Sequence, residues 1–166
     1  RVSAFFLECI DKKIEITEAT KNTVKNIIKN CNPNKIYIPL FCDSHDDHKR
    51  TNELLWESLK IINLSKNIEI FSYQVYSFVP ANYVLDITKK IKNKKKLISF
   101  YKSENIRRNW AHWNVGMNAY LSRFLKSSSE KKYAETFIKF DKSKFESLCS
   151  RFFKKKKIIY NNKNYF

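Results

Sequence analysis

The chain has 166 residues, 33 Lys and Arg against 16 Asp and Glu, and a single glycine. That length suits one domain, and 43% hydrophobic residues supply a core, which excludes wholesale disorder. No apolar run reaches the ~20 residues of a membrane span, no secretory leader pattern follows Arg1, and one glycine cannot furnish a P-loop or a Gly-rich dinucleotide fingerprint.

Thr20, Val24, Ile27, Ile28 and Cys31 recur at helical spacing, and Asn32-Pro33-Asn34 ends that helix. Ile36 to Phe41 reads as a buried strand, and Cys42 to His48 as a polar turn. Leu54, Leu55, Leu59 and Ile62 mark a second amphipathic helix closing near Asn63. Glu69 to Val79 reads as a strand broken by Pro80, and Tyr83-Val84-Leu85 as another. Asp86-Ile87-Thr88 offers a start for a lysine-rich helix carrying Ile87, Ile91, Ile98 and Tyr101. A stripe from Ile106 through Trp110, Trp113, Met117, Tyr120 and Leu121 to Phe124 predicts one core-facing helix. Tyr133 to Phe140 is a late strand, and Phe145, Leu148, Cys149 and Phe152 place a last helix before a basic tail. Helix, strand, polar loop and helix in succession predict an α/β fold, a Rossmann-like partly parallel sheet with flanking helices.

The formal net charge of +17 is concentrated. Residues 89–108 carry nine Lys or Arg against one Glu, and residues 139–166 carry nine against two acids. Localised positive charge is the footprint of a polyanion binder, so a basic nucleic-acid or polyanion-binding module is the alternative function. Only six of the 33 basic residues are Arg, the better reader of phosphates and base edges, and solvated surface lysine is the simpler account. Cys9, Cys31, Cys42 and Cys149 show no C-x-x-C spacing, which points to free thiols and a cytoplasmic location.

Chemistry concentrates in Asp43, His45, Asp46, Asp47 and His48. Imidazole and carboxylate suit zinc and similar divalent ions, and an acid beside a ligand histidine orients its ring through the second nitrogen. The position, after a buried strand and before a helix, is where an α/β fold puts its site. His112, between Trp110 and Trp113, belongs to no motif and reads as a surface or helix-packing residue.

The run Pro39-Leu40-Phe41-Cys42-Asp43-Ser44-His45-Asp46-Asp47-His48 resembles the second motif of the PIG-L/LmbE-like zinc-dependent N-deacetylases, in which a strand ending near Pro leads into Asp-x-His-x-Asp-His and a helix. Tyr73-Gln74-Val75-Tyr76, Val84 to Thr88, Lys95 to Ser103, Asn114 to Tyr120 and Tyr133 to Phe137 are similar, in order, to the family's later segments. The resemblance covers about residues 14–140. Gln74, Glu104 and Asp46 depart from it, standing where the family has Glu, Gln and often Pro. The family's first motif, Ala-His-Pro-Asp-Asp-Glu, is not among these 166 residues.

The resemblance implies a hydrolase that removes the acetyl group from an N-acetylated amino sugar of the N-acetylglucosamine type. His48 matches the metal ligand, His45 the histidine that stabilises the oxyanion or protonates the leaving amine, and Asp47 the acid that orients and tunes the site. The implied cofactor is zinc, with iron the other metal suited to such ligands. The implied partner is a small N-acetylated sugar or glycoconjugate, with no nucleic acid. On this reading residues 1–150 are the C-terminal part of one deacetylase-like domain and residues 151–166 a basic tail. A fragment lacking the first motif is expected to be inactive alone.

Overall fold

The computed structural model describes residues 3–62, 68–76, 81–126 and 130–154. It is a mixed α/β fold whose sheet has the strand order β1-β2-β4-β3, with helices flanking it. The strands are β1 (Lys35–Pro39), β2 (Glu69–Tyr73), β3 (Tyr83–Asp86) and β4 (Ala134–Asp141). The helices are α1 (Glu18–Cys31), α2 (Asp46–Lys60), α3 (Ile91–Ser99), α4 (Lys102–Arg107), α5 (Trp110–Leu121) and α6 (Lys142–Lys154). Two compact units divide the chain, one of residues 1–79 with 139–166 and one of residues 80–138.

In the first unit, α1 opens on a capping box. The Thr17 hydroxyl accepts from the Thr20 N–H, and the Thr20 hydroxyl accepts from the Thr17 N–H. The helix closes where Asn32 takes a left-handed conformation (φ 42°) and donates its N–H to the Ile28 carbonyl, and Pro33 prevents resumption. β1 and β2 run parallel in the register Ile38↔Ser72 and Pro39↔Tyr73. Parallel strands need a crossover, and α2 provides it. Its buried Leu55, Trp56 and Leu59 join Ile28, Ile38, Ile68, Ile70, Phe145 and Cys149 in the core of this unit. α6 extends to Lys154 and so includes residues 151–154, assigned from sequence to the tail. Residues 155–166, like Asn63 and the strand end at Val79-Pro80, lie outside the described residues.

In the second unit β3 pairs antiparallel with β4, Val84 opposite Thr136. The exposed Asp86 carboxylate accepts from the Thr88 N–H at 2.8 Å, and the Thr88 bonds hold it below the usual carboxylate range. A 3₁₀ turn at Thr88–Lys90 then leads into α3. The stripe from Ile106 to Phe124 is not one buried helix. Arg108 is extended (φ −151°, ψ 139°), which separates α4 from α5. Ile106, Trp113, Tyr120 and Phe124 are exposed, whereas Ala111, Asn118 and Leu121 are buried. The buried face of α5 thus carries Ala, Asn and Leu, and the rings of Trp113 and Tyr120 are left outside. That face is stabilised by the Asn118 side chain, whose amide donates to the Ala134 carbonyl at 2.8 Å.

Candidate active site

Parallel pairing brings the carboxyl ends of β1 and β2 to the same edge. The Leu40 N–H donates to the Tyr73 carbonyl, extending the ladder one residue past β1. The chain that leaves β1 (residues 40–45) therefore lies beside the chain that leaves β2 (residues 74–76). α2 is fastened there as well. The fully buried Asn52 amide donates to the Pro39 carbonyl at 2.8 Å and to the His48 carbonyl at 2.7 Å.

Asp43 is buried completely, and among the described residues three donors surround its carboxylate. Oδ1 accepts from the Ser44 N–H at 2.7 Å. Oδ2 accepts from the Tyr76 N–H at 3.2 Å and lies 2.9 Å from His48 Nδ1. An ionised carboxylate only accepts, so in the neutral His48 ring this contact puts the proton on Nδ1 and the lone pair on Nε2. Burying a charge this deeply is sustained by such multiple, charge-assisted hydrogen bonds.

His45 is in the complementary state. It is the N-cap of α2, and its Nδ1 accepts from the Asp47 N–H at 3.2 Å. With Nδ1 occupied as acceptor, the proton of the neutral ring sits on Nε2. The two rings lie 4.9 Å apart, centroid to centroid. The partly exposed Tyr76 ring stacks on His48 at 5.7 Å and 12° between planes.

Asp47 points to the preceding segment. Its Oδ2 accepts from the Lys12 N–H at 2.9 Å, and its buried Oδ1 has no hydrogen-bond partner among the described residues. Lys12 has φ 61°, in the left-handed region, inside a turn closed by the Lys13 N–H to the Ile10 carbonyl. That turn brings an Asp11 carboxylate oxygen within 4.8 Å of ligand-type atoms of both His45 and Asp47. His48 is not in that group. A cavity of about 410 Å³ opens beside the turn, lined by Lys12, Lys13, Ile14, Glu15, Asp46, Lys49 and Arg50.

The candidate residues His45, Asp47 and His48 are therefore gathered at one strand edge. Two partners were not assigned a role from sequence. Asp43, five residues before His48, fixes the tautomer of that ring. Tyr76 reaches the site only through the β1–β2 register, which no local pattern encodes. The half-buried Cys42 thiol is pushed up from its ordinary pKa by burial, which disfavours the thiolate needed for nucleophilic attack. His112 is exposed on α5, in the second unit. Among the described residues no helix is long and apolar enough to cross a membrane.

The donor set suits a divalent ion at one point, His48 Nε2, because an imidazole held by a buried carboxylate through Nδ1 is the usual arrangement of a metal-bound histidine. No known protein-family profile matches the chain. In fold it is similar to the conserved protein TT1542 from Thermus thermophilus, with a TM-score of 0.65 at 18% identity, covering 76% of this chain. The chain spans 60% of the length of that protein. At this identity the likeness establishes a common α/β architecture.

Proposed function

We propose that the chain carries the His45–His48 part of the active site of a PIG-L/LmbE-like, metal-dependent N-deacetylase acting on an N-acetylglucosamine-type sugar. The observation that supports this reading is that Nδ1 of His48 lies against a carboxylate and Nδ1 of His45 against a backbone N–H, which gives the two neutral rings opposite tautomers. His48 offers a lone pair at Nε2 and His45 offers a proton at Nε2, from rings 4.9 Å apart. Amide hydrolysis needs that combination, an electrophile held near the carbonyl and a donor for the oxygen that gains charge.

His48 would hold a zinc or iron ion together with donors from the family's first motif, outside these 166 residues. When bound, that ion supplies Lewis acidity toward the amide carbonyl and lowers the pKa of a bound water. His45 Nε2–H would donate a hydrogen bond to the developing oxyanion. Asp43 holds the His48 ring against rotation. Asp47 fastens the Asp11–Lys12 turn to the start of α2. The general base belongs to the first motif. We place the reaction in the cytoplasm, in keeping with four free cysteines.

The test is to express the complete coding region and follow both metal content and release of acetate from N-acetylglucosamine conjugates. Loss of both on His48→Ala, with loss of turnover but not of metal on His45→Ala, is expected. Turnover that survives His48→Ala sinks the reading, as does the lack of any strand followed by His-x-Asp-Asp in the expressed protein.

A further inference from the structure

The lysine-rich stretch of the second unit ends in an exposed apolar corner that the deacetylase reading does not use. Ile91, Lys94 and Ile98 form the inner face of α3, and Lys94 pairs with Glu135 of β4. The outer face carries Leu97, Phe100 and Tyr101, exposed to 62%, 63% and 68%. Phe100 keeps helical dihedrals (φ −71°, ψ −21°), so these residues at i, i+3 and i+4 lie on one side. Ile106 follows on α4 and is 83% exposed.

Hydrogen bonds join the two helices at this corner. The Asn105 amide donates to the carbonyls of Ile98 and Tyr101, both at 2.8 Å, tying α4 back onto the end of α3. The Phe100 N–H donates to the Leu97 carbonyl and the Lys102 N–H to the Phe100 carbonyl. The large apolar side chains of this corner are nonetheless exposed to water, where they gain nothing. Lys89, Lys90, Lys92, Lys95, Lys96 and Lys102, close to them in the chain, are all exposed.

We propose that this α3–α4 corner is a membrane-surface docking face that rests Leu97, Phe100 and Tyr101 in the headgroup region of an anionic bilayer. Apolar and aromatic side chains ringed by lysine are the composition of interfacial binding, in which shallow burial of the former adds to attraction of the latter. Charge decides among occupants. Nine basic residues against Glu104 across residues 89–108 repel a second copy of the same face and attract an anionic one. Leu97 and Ile106 distinguish a bilayer from a nucleic acid, because aliphatic side chains offer bases no stacking platform, and Lys exceeds Arg by seven to two. The proposal is independent of the deacetylase reading and needs no catalysis to test.

Co-sedimentation of the complete gene product with vesicles of phosphatidylcholine alone, or with about one third phosphatidylserine, tests it. Binding to the anionic vesicles only is expected, weakened about tenfold or more in Leu97→Ser/Phe100→Ser and severalfold in Lys95→Gln/Lys96→Gln. Far-UV circular dichroism should be unchanged, since all four side chains are exposed. Undiminished vesicle binding by the Leu97/Phe100 variant overturns the proposal, because charge alone would then account for it. Two other outcomes overturn it: tighter binding to single-stranded RNA than to anionic vesicles, or a concentration-dependent dimer that the variant abolishes with no vesicle binding by either form.

Discussion

The buried carboxylate of Asp43 lies 2.9 Å from Nδ1 of His48, five residues on, and decides which nitrogen of that ring is available. In Asp43→Asn, an amide would meet three groups that all donate in the native site. Its nitrogen would be forced against at least one of them. Stability should fall by about 1–3 kcal/mol, the cost of a buried group left without its partner. If His48 ligates metal, affinity should fall about 10–100-fold as well. Urea denaturation and competitive zinc titration of the complete gene product measure the two effects separately.

Asn52 joins the end of β1 to the first turn of α2 through two carbonyls. Asn52→Ala should lower stability by about 1–3 kcal/mol. Asn52→Asp should be worse, because a carboxylate would face the Pro39 and His48 oxygens. Denaturant midpoints of the two variants, with unchanged slope, check the order.

Cys149 is buried in the core of the first unit, and burial pushes its thiol up to about 12. Cys31 is exposed at the end of α1. An aromatic disulfide reagent should consume Cys31 rapidly and Cys149 only under denaturing conditions. The sign of the pH effect follows. A thiol whose folded pKa is raised holds its proton more tightly than in the unfolded chain. Its contribution is therefore complete below about pH 9 and declines as pH rises toward 12. Cys149→Ala should flatten that alkaline decline.

At the start of α6 the exposed Asp141 carboxylate accepts from the Lys144 N–H and the Ser143 hydroxyl, and these bonds lower its pKa to about 2. A depressed carboxyl stabilises the fold above its ordinary value near 3.8, and that support is lost as pH falls toward 2. Carboxyl-carbon NMR should follow Asp141 to this low midpoint. Ser143→Ala should raise the midpoint, because one of the bonds that lower it is lost.

Gly116 lies within α5 with nothing inside 4 Å of where a Cβ would stand. Gly116→Ala should therefore raise stability by about 0.5–1 kcal/mol, through a backbone with fewer unfolded conformations to lose. Thermal unfolding of the variant reads the gain directly.

The order of helices and strands was legible because it is written locally. Pro33 and Asn32 end α1, and apolar residues at helical spacing mark α2. The site segment was legible for the same reason, since His45 to His48 are contiguous and follow a strand. Asp43 and Tyr76 were harder. Their meeting depends on the register Pro39↔Tyr73, a pairing across more than thirty residues that no window of sequence contains. α5 was misread because aromatic residues outweigh Asn in any hydrophobic pattern. Asn118 is buried for its hydrogen bond to Ala134, and the larger rings of Trp113 and Tyr120 are left outside.

The chain has one glycine, yet left-handed backbone occurs at Glu8, Lys12 and Asn32. At Lys12 nothing intrinsic to the residue favours that conformation, so the turn leans on its hydrogen bond to Asp47. Asp47 is consequently a fastener as well as a neighbour of the chemistry, and removing its carboxylate changes two things together. A slower enzyme in Asp47→Ala would not by itself say which was lost. Lys12→Gly separates them, by letting the turn form unaided while the carboxylate stays in place.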